Sequence, residues 1–377
     1  MTEERTDIHH PSEDAENIYR LAAELKIQER RVIDFSASVN PLGVSKKVKA
    51  DLRKHLKYLH HYPDPEAKRL RKRLAQHFEI DTETILCGNG STELLYLIPR
   101  VLNPANVLLP APTCPVYERA CRMHSGTRIS YFELNEEDGF HLDADRFIDA
   151  MPEGEKNEPD TPHSPSPCGM AFLCNPNNPT GRLLSRLEIV KIGDAARDRK
   201  CYLVVDEAFI DFCADGSAIK DAMNNPFLIV IRTMSHFYSL AGLRIGYGIF
   251  PRHLARRLSA YREPWTVNSL AQRAALTALK DKVYRKETMG LMAEEKRFIE
   301  KQFRKLGIEF FPSEANYYLL RMLNAGEISR TLKKRGVLVR DCSDFRGLGN
   351  PYLRIAVKSR KENAVLIKEL AGILNNR

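Results

Sequence analysis

The amino-acid sequence predicts an α/β protein: a large domain with a mostly parallel sheet flanked by helices, followed by a smaller α+β domain. Three observations carry this expectation. Between residues 106 and 233, strand-like runs (NVLLPAPT, RISYFEL, MAFLC, CYLVVD, FLIVIRT) alternate with helical patterns, the order that parallel strands with helical crossovers produce. Several of these runs are apolar throughout, as strands buried on both faces are. Beyond a long helical stretch, EFFPSEANYYLLRM, GVLVRDCS and YLRIAV are interleaved with helices in an α+β pattern. The 377 residues, 43% of them hydrophobic, can bury a large core. They divide into an N-terminal arm (1–45), a large domain (46–265) and a small domain (266–377).

In chain order, Ile18 to Leu25 has helical apolar spacing and leads into VIDFSASVNPLG, a short strand and an Asn-Pro turn. Charged helices are expected from about Lys46 to Leu56 and from Ala67 to His77, with the stiff turn HHYPDPE and its Tyr62 between them. The stretch ILCGNGSTELLYLIPRVL combines an apolar entry, a Gly-Asn-Gly-Ser-Thr turn and a helix from near Ser91. Helices follow at Val116 to Met123, Ala144 to Ala150 and Ser185 to Arg197, then a helical region from about Ala271 to Leu306 and a terminal helix through Leu374. The run 152–169, rich in Pro, Ser and acids, breaks the alternation and reads as a surface insertion. No internal repeat is present.

Composition excludes several classes of function. The net charge of +9 is read as solvated surface that also attracts anionic substrates, because basic residues are scattered among acids rather than gathered into a nucleic-acid stripe. Eight cysteines form no CxxC pair, so neither a zinc site nor a disulfide scaffold is expected. The N-terminus is polar and no apolar run reaches membrane-spanning length, which points to a cytoplasmic protein that does not engage membranes.

Two places suit ligand chemistry. The turn before the Ser91 helix offers backbone N–H groups, the hydroxyls of Ser91 and Thr92 and the positive end of a helix dipole, a combination that suits a phosphate. A plain helix cap explains the same hydroxyls equally well. Asn178 and Asp206 follow buried strands, and ligands in open parallel sheets collect at the carboxyl ends of strands.

Together, Gly88 to Glu93, NPNNPTG, DEAFIDF and SHFYSLAGLRIGY resemble, in order and spacing, the class II aminotransferase branch of the fold-type I pyridoxal 5'-phosphate (PLP) enzymes. The resemblance covers essentially the whole chain. Within that branch, DFSASVNPLG, HYPDPEAKRLR, GNGSTELLYLIPR, PWTVNSLAQ and VRDCSDFRGL are most similar to L-threonine-O-3-phosphate decarboxylases of cobalamin biosynthesis, with histidinol-phosphate aminotransferases the alternative. The resemblance implies a fold-type I PLP-dependent transferase fold, PLP as cofactor, and release of carbon dioxide from L-threonine O-3-phosphate to give (R)-1-aminopropan-2-ol O-2-phosphate. It further implies a homodimer in which Tyr62 reaches the coenzyme phosphate of the neighbouring subunit.

By the same resemblance, Asp206 pairs with the pyridine nitrogen and Asn178 with the ring hydroxyl, while Phe209 stands where many aminotransferases have a tyrosine. Ser91, Thr92, Ser235 and Arg244 would hold the coenzyme phosphate. Arg354 is assigned to the substrate carboxylate, Arg340 to the substrate phosphate, and Asn40 to closing the site; each has a structural alternative as an ion-pair or turn residue. Cys114 occupies the place of a ring that stacks on the coenzyme, so either Tyr117 substitutes for it or PLP binds more weakly.

The sharpest departure is His236, which stands where the family has its coenzyme-linking lysine. Imidazole forms no stable imine, yet its ordinary pKa near 6.5 suits it to acid–base work. The histidine is compatible with a replaced lysine, with a natural homologue that uses it as a base, or with a non-catalytic PLP-binding relative. Decarboxylation asks least of a lysine, since carbon dioxide leaves without a base. The expectation is therefore non-covalent PLP and an impaired or altered decarboxylase.

Overall fold

The computed structural model describes residues 17–123, 126–154, 169–213 and 215–375. Most of the expected insertion at 152–169 therefore lies outside the described residues.

A two-residue strand, β1 (Ile33–Asp34), leaves the N-terminal arm. Seven strands then build the main sheet: β2 (Ile85–Asn89), β3 (Asn106–Ala111), β4 (Arg128–Glu133), β5 (Gly169–Cys174), β6 (Cys201–Asp206), β7 (Leu228–Thr233) and β8 (Ile245–Ile249). Their order is β2-β8-β7-β6-β5-β3-β4, and β8 alone runs against the others. Helices Gly90–Leu102, Val116–Arg122 and Arg186–Asp198 make crossovers between parallel strands. Both faces of the sheet are covered, so strand residues alternate between two cores. Phe172, Val204 and Ile231 pack with Leu94, Ile98 and Tyr117, whereas Leu173, Val205 and Val230 pack with Ile189, Ile192 and the small domain.

The small domain holds β9 (Glu309–Phe310), β10 (Tyr317–Arg321), β11 (Val337–Leu338), β12 (Arg340–Asp341) and β13 (Tyr352–Ala356). An antiparallel sheet in the order β12-β13-β10-β9 sets Arg340 directly opposite Arg354. The arm is stitched to this domain, because β1 pairs in parallel with β11, Ile33 opposite Val337.

One expectation changes. The helical region from Ala271 to Leu306 is two helices, Ser269–Ala278 and Lys282–Lys305. Asp281 divides them by capping the second: it accepts from Tyr284 N, while Ser45 Oγ (2.5 Å) and Lys47 Nζ (3.0 Å) donate to it from the first charged helix. Residues 46–73 hold eleven Lys and Arg against three Asp and Glu, on helices Lys46–His55 and Lys68–Phe78, whose buried faces are as narrow as Val48 in one and Leu70, Leu74 and Ala75 in the other.

Candidate functional site

The carboxyl ends of the parallel strands and the start of β8 converge on one edge of the sheet. At its phosphate-sized end, β2 stops at Asn89 and a helix begins at Gly90. Asn89 is the capping residue and its side chain makes no capping bond, so Ser91 and Thr92 lie inside the first turn, and the plain-cap reading of their hydroxyls falls away. Gly90 has φ +76°, and a Cβ there would collide with the guanidinium of Arg244. A Cβ on Gly246 would likewise strike Ser91 N, so two glycines let β8 and Arg244 close over a helix N-terminus. Arg244 itself has φ +57° and donates from Nη1 to Ala241 O at 3.0 Å. Ser235, buried just past β7, accepts from Thr233 Oγ1 at 2.9 Å, which leaves its own hydroxyl hydrogen to donate.

At the centre of the edge, Asp206 ends β6 and is buried. Ala208 N donates to Oδ1 at 3.1 Å and Tyr117 Oη to Oδ2 at 2.9 Å. Burial pushes the carboxyl up to about 6, the two donors oppose that rise, and the charge of Glu207 adds to it. Glu207 turns away to the buried Arg232 (2.8 Å) and accepts from Ser217 Oγ and Ala218 N.

Here the structure corrects the sequence reading of Tyr117. It does not substitute for the ring missing at Cys114: it is fully buried beneath the edge and stacked on Phe172, with centroids 5.2 Å apart and planes 17° from parallel. One helical turn from Cys114 carries its side chain under the sheet edge, toward Asp206, while Cys114 stays half-buried with its thiol pushed up by burial.

On the small-domain side, Arg354 Nη1 donates to Asn178 Oδ1 at 2.5 Å and Nη2 to Ser36 O at 2.7 Å, with the guanidinium 5.3 Å over the Tyr317 ring. Fixing Asn178 Oδ1 in this way leaves its Nδ2 as the group that can donate to a ligand. Arg340 is engaged by Asp344 at 2.5 Å and lies over Phe345, so its charge is partly matched within the small domain. Asn40 is buried, and its Nδ2 donates to Phe237 O (2.9 Å) and Thr288 Oγ1 (2.7 Å); it holds the 236–237 segment in place. Tyr62 is 84% exposed, with its ring 5.4 Å from that of Trp265.

His236 lies between these groups. Its Nδ1 is 3.1 Å from Ser38 O, and since a carbonyl only accepts, Nδ1 carries the hydrogen and Nε2 the free lone pair. Phe209 stacks on the imidazole at 4.2 Å. Burial first, then the charge of Arg354, lowers the imidazole to about 4, so it is neutral near pH 7. Ser38 O also accepts from Asn316 Nδ2 at 2.9 Å.

Sequence reasoning did not find Ser38, Asn316, Glu207 or Arg232. Each acts through backbone or buried partners, and no local spacing marks such contacts.

The residues present fit PLP. Among the described residues, six buried side-chain N or O atoms lack a hydrogen-bond partner, and three of them, Ser38 Oγ, Asn316 Oδ1 and Arg354 Nε, lie about His236. Such atoms are rare in a finished core, and their grouping beside His236 suits a polar ligand. The glycine-floored cradle under Arg244 would take the phosphate, and Asp206 the ring nitrogen.

A family model described as aminotransferase class I and II matches residues 30–370. A threonine-phosphate decarboxylase from Salmonella typhimurium is 33% identical over 362 residues, 95% of each chain. Among solved structures, L-threonine-O-3-phosphate decarboxylase from Porphyromonas gingivalis is 30% identical, with a TM-score of 0.77 over 91% of this chain and 100% of that one. Histidinol-phosphate aminotransferase from Clostridium acetobutylicum is 28% identical, with a TM-score of 0.82 over 92% of this chain and 100% of that one. The architecture is the fold-type I PLP enzyme fold. With similarity running nearly end to end, the chain belongs to the class I and II aminotransferase family, which uses pyridoxal 5'-phosphate.

Proposed function

We propose that this chain binds PLP without a covalent link and decarboxylates L-threonine O-3-phosphate, as a homodimer to which Tyr62 contributes across the interface. The observation that carries the reading is the convergence of an anion cradle (Gly90, Ser91, Thr92, Ser235, Arg244), a buried Asp206 and a carboxylate-sized guanidinium (Arg354) around a neutral imidazole. The 33% identity to a threonine-phosphate decarboxylase supports the choice of substrate.

Bound PLP supplies an electron sink for the pair released when an α-bond breaks. The rest falls to the chain. Asp206 holds a proton on the pyridine nitrogen. Arg354 brings a positive charge and an unpartnered Nε–H for an α-carboxylate, while its Nη1 steadies Asn178 for the ring hydroxyl. Phe209, lacking a phenol, packs on His236 and fixes its plane. His236 Nε2, which holds a free lone pair, would first take up a proton from solvent and then pass it to the carbon left by carbon dioxide. Its low pKa owes part of its depression to Arg354 and Arg244, and anions bound to those two arginines would raise it toward the ordinary range.

Incubation with PLP and threonine phosphate, following carbon dioxide, tests the reading. His236→Lys should raise turnover and allow borohydride to fix PLP to the chain; a lysine variant that gains neither overturns it. A second reading, amino transfer from histidinol phosphate, is supported by histidinol-phosphate aminotransferases of similar identity, 32% and 33%. Only that reaction consumes a 2-oxo acid.

A further inference from the structure

We propose that Tyr117 is a positioning residue for the coenzyme site: its hydroxyl pins the Asp206 carboxylate so that the oxygen edge left free meets the pyridine nitrogen. The inference rests on the PLP reading above and concerns a residue that does not itself touch the coenzyme.

Tyr117 is fully buried on the Val116–Arg122 helix, and its hydroxyl donates to Asp206 Oδ2 at 2.9 Å. A buried phenol needs a partner, and Phe172 on β5 fixes the ring by stacking, so hydroxyl and carboxylate are held in one geometry. Burial and the charge of Asp206 both push the phenol well above its usual range, which keeps it protonated and a donor. With Ala208 N on Oδ1 and Tyr117 on Oδ2, both oxygens are tied and the carboxylate plane cannot turn. Each oxygen retains acceptor capacity for one further N–H.

The other ionisable groups about Asp206 do not compete for it. Cys174 and Cys114 are pushed upward by burial and stay neutral thiols, and Glu207 is bound to Arg232. Tyr117 is thus the side-chain donor that decides how Asp206 faces the cleft. Without it, a buried carboxylate would lose one of its two donors and its fixed plane together.

The test compares PLP with its 1-deaza analogue, in which C–H replaces the ring nitrogen, on the full-length native chain and Tyr117→Phe. Loss of one hydrogen bond to a charged group predicts roughly tenfold weaker PLP binding at pH 7. The analogue, which has no nitrogen for Asp206 to meet, should bind both chains alike. The 15N shift of bound labelled PLP should move toward the unprotonated value in the variant. Phe172→Leu, which loosens the ring but keeps the hydroxyl, should give the same nitrogen-selective loss in weaker form, and it decides the matter should Tyr117→Phe fail to fold. Equal losses for PLP and analogue, or no loss for either, overturn the positioning role and leave the PLP reading standing. Failure of the native chain to bind either ligand overturns both.

Discussion

Gly90→Ala puts the phosphate cradle to the most direct test. At φ +76° an alanine enters the left-handed region, at a cost of about 1–2 kcal/mol to the fold. The new methyl would also sit 3.0 Å from Arg244 Cζ and still closer to Nη2, so the guanidinium must leave the helix N-terminus. An anion bound there would then lose a charge-assisted hydrogen bond worth about 1.5–3 kcal/mol, or roughly ten- to a hundredfold in affinity. Equilibrium titration of native and variant chains with PLP, and in parallel with pyridoxal lacking the phosphate, separates the two costs. PLP affinity should fall by that factor while pyridoxal affinity stays within about twofold, since only the phosphate reaches the cradle. Native PLP affinity in the variant, or matched losses for both ligands, would refute the assignment of this turn to phosphate.

Two further predictions follow from the same edge of the sheet. His236 is depressed to about 4, so the unfolded chain binds the extra proton between pH 6.5 and 4 and stability falls as pH drops through that window; Asp206, raised to about 6, favours the folded chain at low pH and loses that contribution as pH rises from 3.8 to 6. Asp206→Asn should therefore steepen the loss of stability on acidification from pH 6.5 to 4, measured by urea unfolding, and a shallower slope would contradict the pairing of signs. If Tyr62 completes the neighbouring site, Tyr62→Ala and Arg244→Ala chains should each bind PLP weakly, and their mixed dimer should recover one tight site in two. A mixture that recovers none would place Tyr62 outside the site.

Much of the fold is legible because it rests on local periodicity. The apolar runs at 170–174, 201–206 and 228–233 are strands, and the helices at Ala144–Ala150 and through Leu374 end where their spacing ends. The division at Asp281 is not legible locally, since the apolar spacing continues across it and the cap is stabilised by Ser45 and Lys47 from far along the chain. The resemblance assigns Arg354 to an anion, but its grip on Asn178 depends on a contact between residues 176 positions apart.

What the sequence by itself determined is the order of strands and helices, the Gly-Asn-Gly-Ser-Thr turn, and the exchange of a linking amine for an imidazole at position 236. The first two are properties of neighbouring residues and the third is what the resemblance to the PLP enzymes implies, so none of them needs a fold to be read. Only the tertiary structure decided that Tyr117 serves Asp206 rather than a ligand face, that Arg340 is held by Asp344, and that Arg244 lies over Gly90. The reason is physical: a side chain's direction at a sheet edge is set by which distant backbone and which buried charge it meets, and burial of Asp206 makes that meeting strong.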